Sequence, residues 1–140
     1  MKLENIRTKT PRRRGELIEL LFAQKATSLG FQVCKPVCDE SYDFILDAGR
    51  RLWRVQVKST DRLRKGGYLI GACHFATHNT KQPYTAAEID ILAAYIVPER
   101  AWYILPIVAF APQQWLSFYP QNQHSQGRFE PYREAWSLMQ

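Results

Sequence analysis

Ser41-Tyr42-Asp43-Phe44-Ile45-Leu46-Asp47-Ala48-Gly49-Arg50-Arg51-Leu52-Trp53-Arg54-Val55-Gln56-Val57-Lys58-Ser59 reads as two strands joined by a turn. In the second half Trp53, Val55 and Val57 alternate with Leu52, Arg54, Gln56 and Lys58, the period of a strand with two unlike faces. Gly49 is the natural turn residue. With Gly49-Arg50 as a two-residue turn, Ala48 pairs with Arg51, and counting back pairs Asp43 with Gln56. Shifts of two residues keep Asp43, Gln56 and Lys58 on one face; an odd loop or a bulge does not. A carboxylate, an amide oxygen and an ammonium gathered there can hold a divalent cation and a water, the equipment for opening a phosphodiester. An ordinary hairpin with a solvated polar face fits the same alternation.

A third acid adds weight to the first reading. Gly15–Leu29 reads as a helix stopped by Gly30 at C′, with Leu21 and Phe22 on its apolar side. Glu16 and Glu19 lie one turn apart, and Glu19 borders the apolar side. Alone, Glu19 reads as a solvated carboxylate; beside the hairpin it reads as part of a site.

Together these pieces resemble the PD-(D/E)XK nuclease superfamily, and within it the branch that includes a homing endonuclease encoded in group I introns. The resemblance rests on Gly15-x-x-x-Glu19, Gly30-Phe31-x-Val33, Tyr42-Asp43-Phe44-Ile45 and Val55-Gln56-Val57-Lys58-Ser59-Thr60. Downstream, Glu88-Ile89-Asp90-Ile91-x-Ala93-x-Tyr95-Ile96-x-Pro98 and Trp102-Tyr103-Ile104-Leu105-Pro106 also match. The acid that the superfamily carries before x-Lys is Gln56 here, as in that branch, and no proline precedes Asp43.

The resemblance implies an α/β fold, a restriction-endonuclease-like core with a mixed β-sheet flanked by helices. It implies metal-dependent endonuclease activity on double-stranded or branched DNA, in a homing, junction-resolving, or mobile-element or repair role that the resemblance leaves open. Asp43 would be the principal ligand for Mg2+, with Mn2+ able to substitute. Glu19 would support the metal directly or through water, and the Val57 carbonyl would complete the shell. Lys58 would orient the attacking water and stabilise charge on the phosphate. Gln56 offers a neutral oxygen, which weakens the hold on a hard cation. Tyr42 would pack beneath the site, and Ser59 and Thr60 would touch phosphate. Reading a long target would require self-association into a dimer or tetramer.

Composition agrees with one domain over residues 1–140. The chain has 140 residues, 46% hydrophobic and 13% aromatic, enough for a sizeable core. No apolar run of transmembrane length occurs, and Met1-Lys2-Leu3-Glu4-Asn5-Ile6 has no signal-like apolar stretch, so an intracellular, cytoplasmic location without membrane partners is expected. The net charge is +6, and its distribution matters more than its total. Lys9, Arg12, Arg13 and Arg14 form a basic N-terminal arm, about 1–14, before the helix of Glu19. Arg62, Arg64 and Lys65 follow Lys58. Both clusters flank the site where phosphates would lie, although a solvated tail and loop are the plainer readings.

Two other functions compete. Gln56 could mark a nucleic-acid-binding protein that kept the fold and lost catalysis. Cys34, Cys38, Cys73, His74 and His78 could be drawn as a zinc site, but Cys34 falls in an apparent strand facing the core, the spacing is not a standard ribbon, and the Cys count is odd. The rest of the chain reads as a strand at Tyr68–Ala72, loop over His74–Pro83, a capping box at Thr85–Glu88, and strands at Ile89–Val97 and Ala101–Val108. A helical extension over about 112–140 follows: Pro112 opens a turn or two through Phe118, Pro120–Gly127 is loop, and Pro131–Met139 is a last helix.

Overall fold

A computed structural model describes residues 10–121 and 127–140. Its centre is a five-stranded mixed sheet of order β1-β2-β3-β8-β9. The strands are β1 (Gln32–Cys34), β2 (Phe44–Asp47), β3 (Leu52–Thr60), β8 (Ile91–Ile96) and β9 (Ala101–Pro106). All neighbours are antiparallel except β3 and β8. A parallel pair needs a crossover. Here β4 (Leu63–Arg64), β5 (Gly67–Gly71), β6 (Cys73–Phe75) and β7 (Lys81–Pro83) fill it.

The hairpin forms in the expected frame. Phe44 pairs with Val55 and Asp47 with Leu52, the Ala48 N–H donates to the Arg51 carbonyl, and Gly49 has φ of 85°. The ladder ends at Phe44. The Asp43 N–H donates to the Val55 carbonyl at 2.9 Å, so Asp43 and Gln56 are not paired as the count from the turn required.

Both faces of the main sheet are covered. Val55, Val57, Ile91, Ala93 and Tyr95 meet Ile18, Phe22 and Ala26 of the helix α1 (Pro11–Ser28). Phe22 stacks on Phe44 with ring centres 5.4 Å apart. On the far face, Leu92, Ala94 and Ile96 meet Tyr68, Ile70, Leu116 and Phe118 of a second sheet of order β10-β5-β4, where β10 is Trp115–Phe118. That sheet, not a helix, closes the far side, and α1 is the one α-helix among the described residues. No described helix is long and apolar enough to cross a membrane.

Four expectations change. Arg12, Arg13 and Arg14 belong to α1, which starts at Pro11 with Thr10 Oγ1 accepting the Arg13 N–H. Proline at N1 behind a threonine cap is a helix start, which the basic run masked; Lys9 and the rest of the supposed arm lie outside the described residues. Trp115–Phe118 is strand β10, not helix, because Trp115 and Ser117 alternate with buried Leu116 and Phe118 and pair with β5. Pro131–Met139 resolves into short 3-10 turns at Glu130–Tyr132 and Trp136–Met139. Part of the Pro120–Gly127 loop lies outside the described residues. The loop expected over His74–Pro83 contains the β6–β7 hairpin.

Candidate active site

Strand β3 outruns its neighbour. Beyond Val55 nothing from β2 pairs with it, so residues 56–60 leave an open edge facing the N-terminal half of α1. The chain before β2 closes the mouth of this fork with Asp43, whose Oδ2 accepts the Val57 N–H at 2.8 Å. That bond satisfies a backbone donor which the missing ladder would otherwise leave open. Val55 and Val57 turn to the α1 core; Gln56 and Lys58 therefore turn to the far face, where the Lys58 ammonium lies 6.0 Å from the ring centre of Tyr84. Glu19 comes from α1. Groups from both faces meet at one edge, and Glu19, Asp43, Gln56, Val57, Lys58, Gly15 and Ser59 line a cavity of about 300 Å³.

The charge balance of this cavity is uneven. Burial pushes the Asp43 carboxyl above the ordinary carboxylate range; the Val57 N–H opposes this, Glu19 adds to it, and Lys58 and Lys35 oppose it. Glu19 is held by Lys35, Nζ to Oε2 at 2.9 Å, and that bond raises the Lys35 pKa. Lys35 had no signature in the sequence: it sits in the loop after β1 beside Pro36, and only the fold brings it to Glu19. Tyr84 was missed likewise. Its ring is buried in the far core, and burial, followed by the Asp43 charge, raises its hydroxyl pKa.

The donor set suits a hard divalent cation: two carboxylates, the Val57 carbonyl and the Gln56 amide, all oxygen donors. Asp43 is half-buried, and the nearby lysines offset the effect of its burial only in part, while the Lys35 ammonium already occupies Glu19 as a stand-in cation. Gln56 Nε2 lies 3.4 Å from the Val57 carbonyl; turning the amide by half a turn presents its oxygen instead.

The outlying residues divide. Tyr42 is half-buried and packs on the far core beside Asp43. Ser59 lines the cavity, whereas Thr60 is buried and its hydroxyl accepts the Arg62 N–H. Successive helix positions send the arginines apart: Arg12 borders the depression of Glu19, Lys35 and Asp43, while Arg14 pairs with Asp61 on the other side. Arg62, Arg64 and Lys65 are exposed around the β4–β5 turn.

The zinc grouping does not assemble. Cys34 and Cys38 are exposed, and Cys34 faces solvent from an edge strand, not the core. His74 Nε2 faces Glu88 Oε2 at 2.7 Å, a close polar contact bent too far for a hydrogen bond. Among the described residues no three His, Cys, Asp or Glu groups are placed to hold a metal.

The sequence matches the family model of PD-(D/E)XK endonucleases over residues 9–139. Among solved structures, a bacterial homing endonuclease, I-Ssp6803I, superposes with a TM-score of 0.81 at 26% identity, covering 93% of each chain. MepB superposes with a TM-score of 0.46 at 13% identity, over 77% of this chain and 82% of its own. A comparison with curated proteins gives no match.

Proposed function

The chain belongs to the PD-(D/E)XK endonuclease family, and on that premise we propose that it is a divalent-metal-dependent DNA endonuclease whose reaction centre is the cavity of Asp43, Glu19, Gln56 and Lys58. One observation carries the reading: at the β2–β3 fork a half-buried, partly neutralised carboxylate, a second carboxylate, two neutral oxygens and the Lys58 ammonium line the same 300 Å³ cavity. Mg2+, or Mn2+ in its place, supplies charge neutralisation and an acidified water when bound. Asp43 and Glu19 would hold it, with the Val57 carbonyl and Gln56 completing the oxygen set. Asp43 is fixed for this by the Val57 N–H. Lys58 approaches from the far face, supported by the Tyr84 ring, and its ammonium orients the nucleophile and stabilises charge developing on the phosphate. Lys35 releases Glu19 and is then free to contact phosphate.

The likeness to a homing endonuclease of matching length supports a role in cutting specific duplex sites. A subunit of 140 residues has limited reach along a duplex, so self-association accompanies the proposal. Retention of the carboxylate pair and of Lys58 favours catalysis over the alternative of an inactive DNA-binding relative.

Lys58→Ala is the test. Cleavage of plasmid DNA with Mg2+ is expected to fall about a hundredfold or more while the circular dichroism spectrum is unchanged. Full cleavage by the variant would remove this cavity from the mechanism.

A further inference from the structure

The outer face of the small sheet is unused by the chemistry above, yet it is continuous with it. Strand β10 sends Leu116 and Phe118 into the far core, so Trp115, Ser117 and Tyr119 line the outward face. Trp115 and Tyr119 lie flat across β5. A Cβ on Gly71 would stand 3.3 Å from the Trp115 ring, and one on Gly67 would stand 2.5 Å from the Tyr119 ring. Glycines at these two positions let the rings lie down on the sheet. Tyr119 is also covered by Gly127, whereas Trp115 remains 46% exposed.

Two shallow clefts run over this face. The nearer is bounded by Arg14, Ser59, Asp61, Arg62 and Trp115 and shares Gly15 and Ser59 with the reaction cavity. The farther is bounded by Arg62, Arg64, Lys65, Trp115, Ser117 and Tyr119. Among the described residues the one acid bordering either cleft is Asp61, and Arg14 already pairs with it. The pair of clefts is therefore a positively charged track with a partly exposed indole at its middle, the Lys81 ammonium standing 5.1 Å from the centre of its ring. Thr60 lies two strand residues beyond Lys58, about 7 Å, roughly the rise of two base pairs along one strand.

We infer that this face holds the sugar-phosphate backbone of the DNA duplex flanking the bond to be cut. Arg62, Arg64 and Lys65 contact successive phosphates, and the Trp115 ring packs against a deoxyribose between them. The inference rests on the reading of the adjoining cavity as a DNA-cutting site. Charge complementarity selects the partner, and continuity through Gly15 and Ser59 fixes which stretch of it: the flank next to the scissile phosphate.

The two contributions have different signatures. Phosphate contacts set how affinity depends on salt, at about one unit of slope each; an apolar contact sets affinity and leaves the slope alone. The probe is a mixed-sequence duplex oligonucleotide titrated by fluorescence anisotropy in EDTA at several salt concentrations, with folding of each variant checked by thermal melting. Replacing Arg62, Arg64 and Lys65 together with Ala is expected to lower the slope by two to three units. Trp115→Ala is expected to weaken binding about tenfold at unchanged slope, and Trp115→Phe to restore most of it. An unchanged slope in the triple variant, or wild-type affinity in Trp115→Ala, overturns the inference. If the wild-type chain binds and cuts DNA while these variants match it, the docking face alone fails; if the wild-type chain binds no duplex, the parent reading fails with it.

Discussion

Two aspartates bond to the backbone of the same strand with opposite consequences. Asp90 Oδ2 accepts the Arg54 N–H of β3 at 2.9 Å; Asp43 Oδ2 accepts the Val57 N–H of β3 at 2.8 Å. Asp90 then meets the Arg54 guanidinium through two further bonds, at 3.1 and 2.9 Å, with Arg51 nearby. Burial alone would raise its pKa, but the bonds and charge of Arg54 outweigh burial and leave it below the ordinary range. Asp43 has no bonded cation among the described residues: burial dominates, Glu19 adds to it, and its pKa stands above that range. A carboxylate that anchors a fold comes with its counter-charge built in, and one that serves chemistry is left short of it. The same local bond to β3 thus marks a structural joint at one end and the proposed reaction centre at the other.

The largest effect on stability is expected at the structural end. Asp90→Asn removes the counter-charge of Arg54, which also holds the Ala86 and Ala87 carbonyls, and should lower unfolding free energy by about 3 kcal/mol. Urea denaturation measures this. The pH dependence has a definite sign. Because the folded pKa of Asp90 is depressed, its contribution is present above the unfolded carboxylate pKa and is lost as pH falls through the folded value. An Asp90→Asn variant as stable as wild type would erase the contrast between the two ends.

The next effect belongs to the reaction end. Asp43→Asn should weaken Mg2+ binding at least tenfold, and Gln56→Ala by only a few-fold, since a charged oxygen holds Mg2+ better than a neutral amide. Isothermal titration calorimetry ranks them, and the reverse order would reassign the ligands. Gln56→Glu sharpens the point, as it should tighten metal binding while slowing cleavage if the new carboxylate captures Lys58.

The smallest effect lies at the approaches. Replacing Arg12, Arg13 and Arg14 with Ala should flatten the salt dependence of DNA binding by about one unit rather than three, because the three side chains leave α1 in different directions, Arg14 is already paired with Asp61 and Arg12 with Glu16. No change at all would mark them as solvated helix charge and leave the phosphate contacts to Arg62, Arg64 and Lys65.

The geometry of the β2–β3 fork was more readable in the sequence than its surroundings, for physical reasons. A two-residue period around Gly49 fixes the register of β2 on β3, and register brings Gln56 and Lys58 to the fork where Asp43 ends the ladder. Glu19 followed from its helix. Lys35 and Tyr84 were invisible because they arrive by tertiary contact, with no period linking them to Glu19 or Lys58. The segment from Pro112 misled because a proline can open a helix or precede a strand, and pairing with β5, distant in sequence, decided it. Thr10-Pro11 carried a helix-start signal that the following arginines obscured.

The central claim is that the half-buried Asp43 carboxyl is left short of counter-charge, and thermal melting over a range of pH, with and without Mg2+, tests it most directly. Since the folded pKa of Asp43 is raised, ionising it opposes folding, and that opposition is complete above the folded value. Asp43→Asn should therefore melt at or above the wild-type temperature without metal. Mg2+ should raise the melting temperature of the wild type and leave that of the variant nearly unchanged. A variant that melts well below wild type without metal, and gains as much from Mg2+, would show that Asp43 is a structural carboxylate like Asp90 and that the metal binds elsewhere.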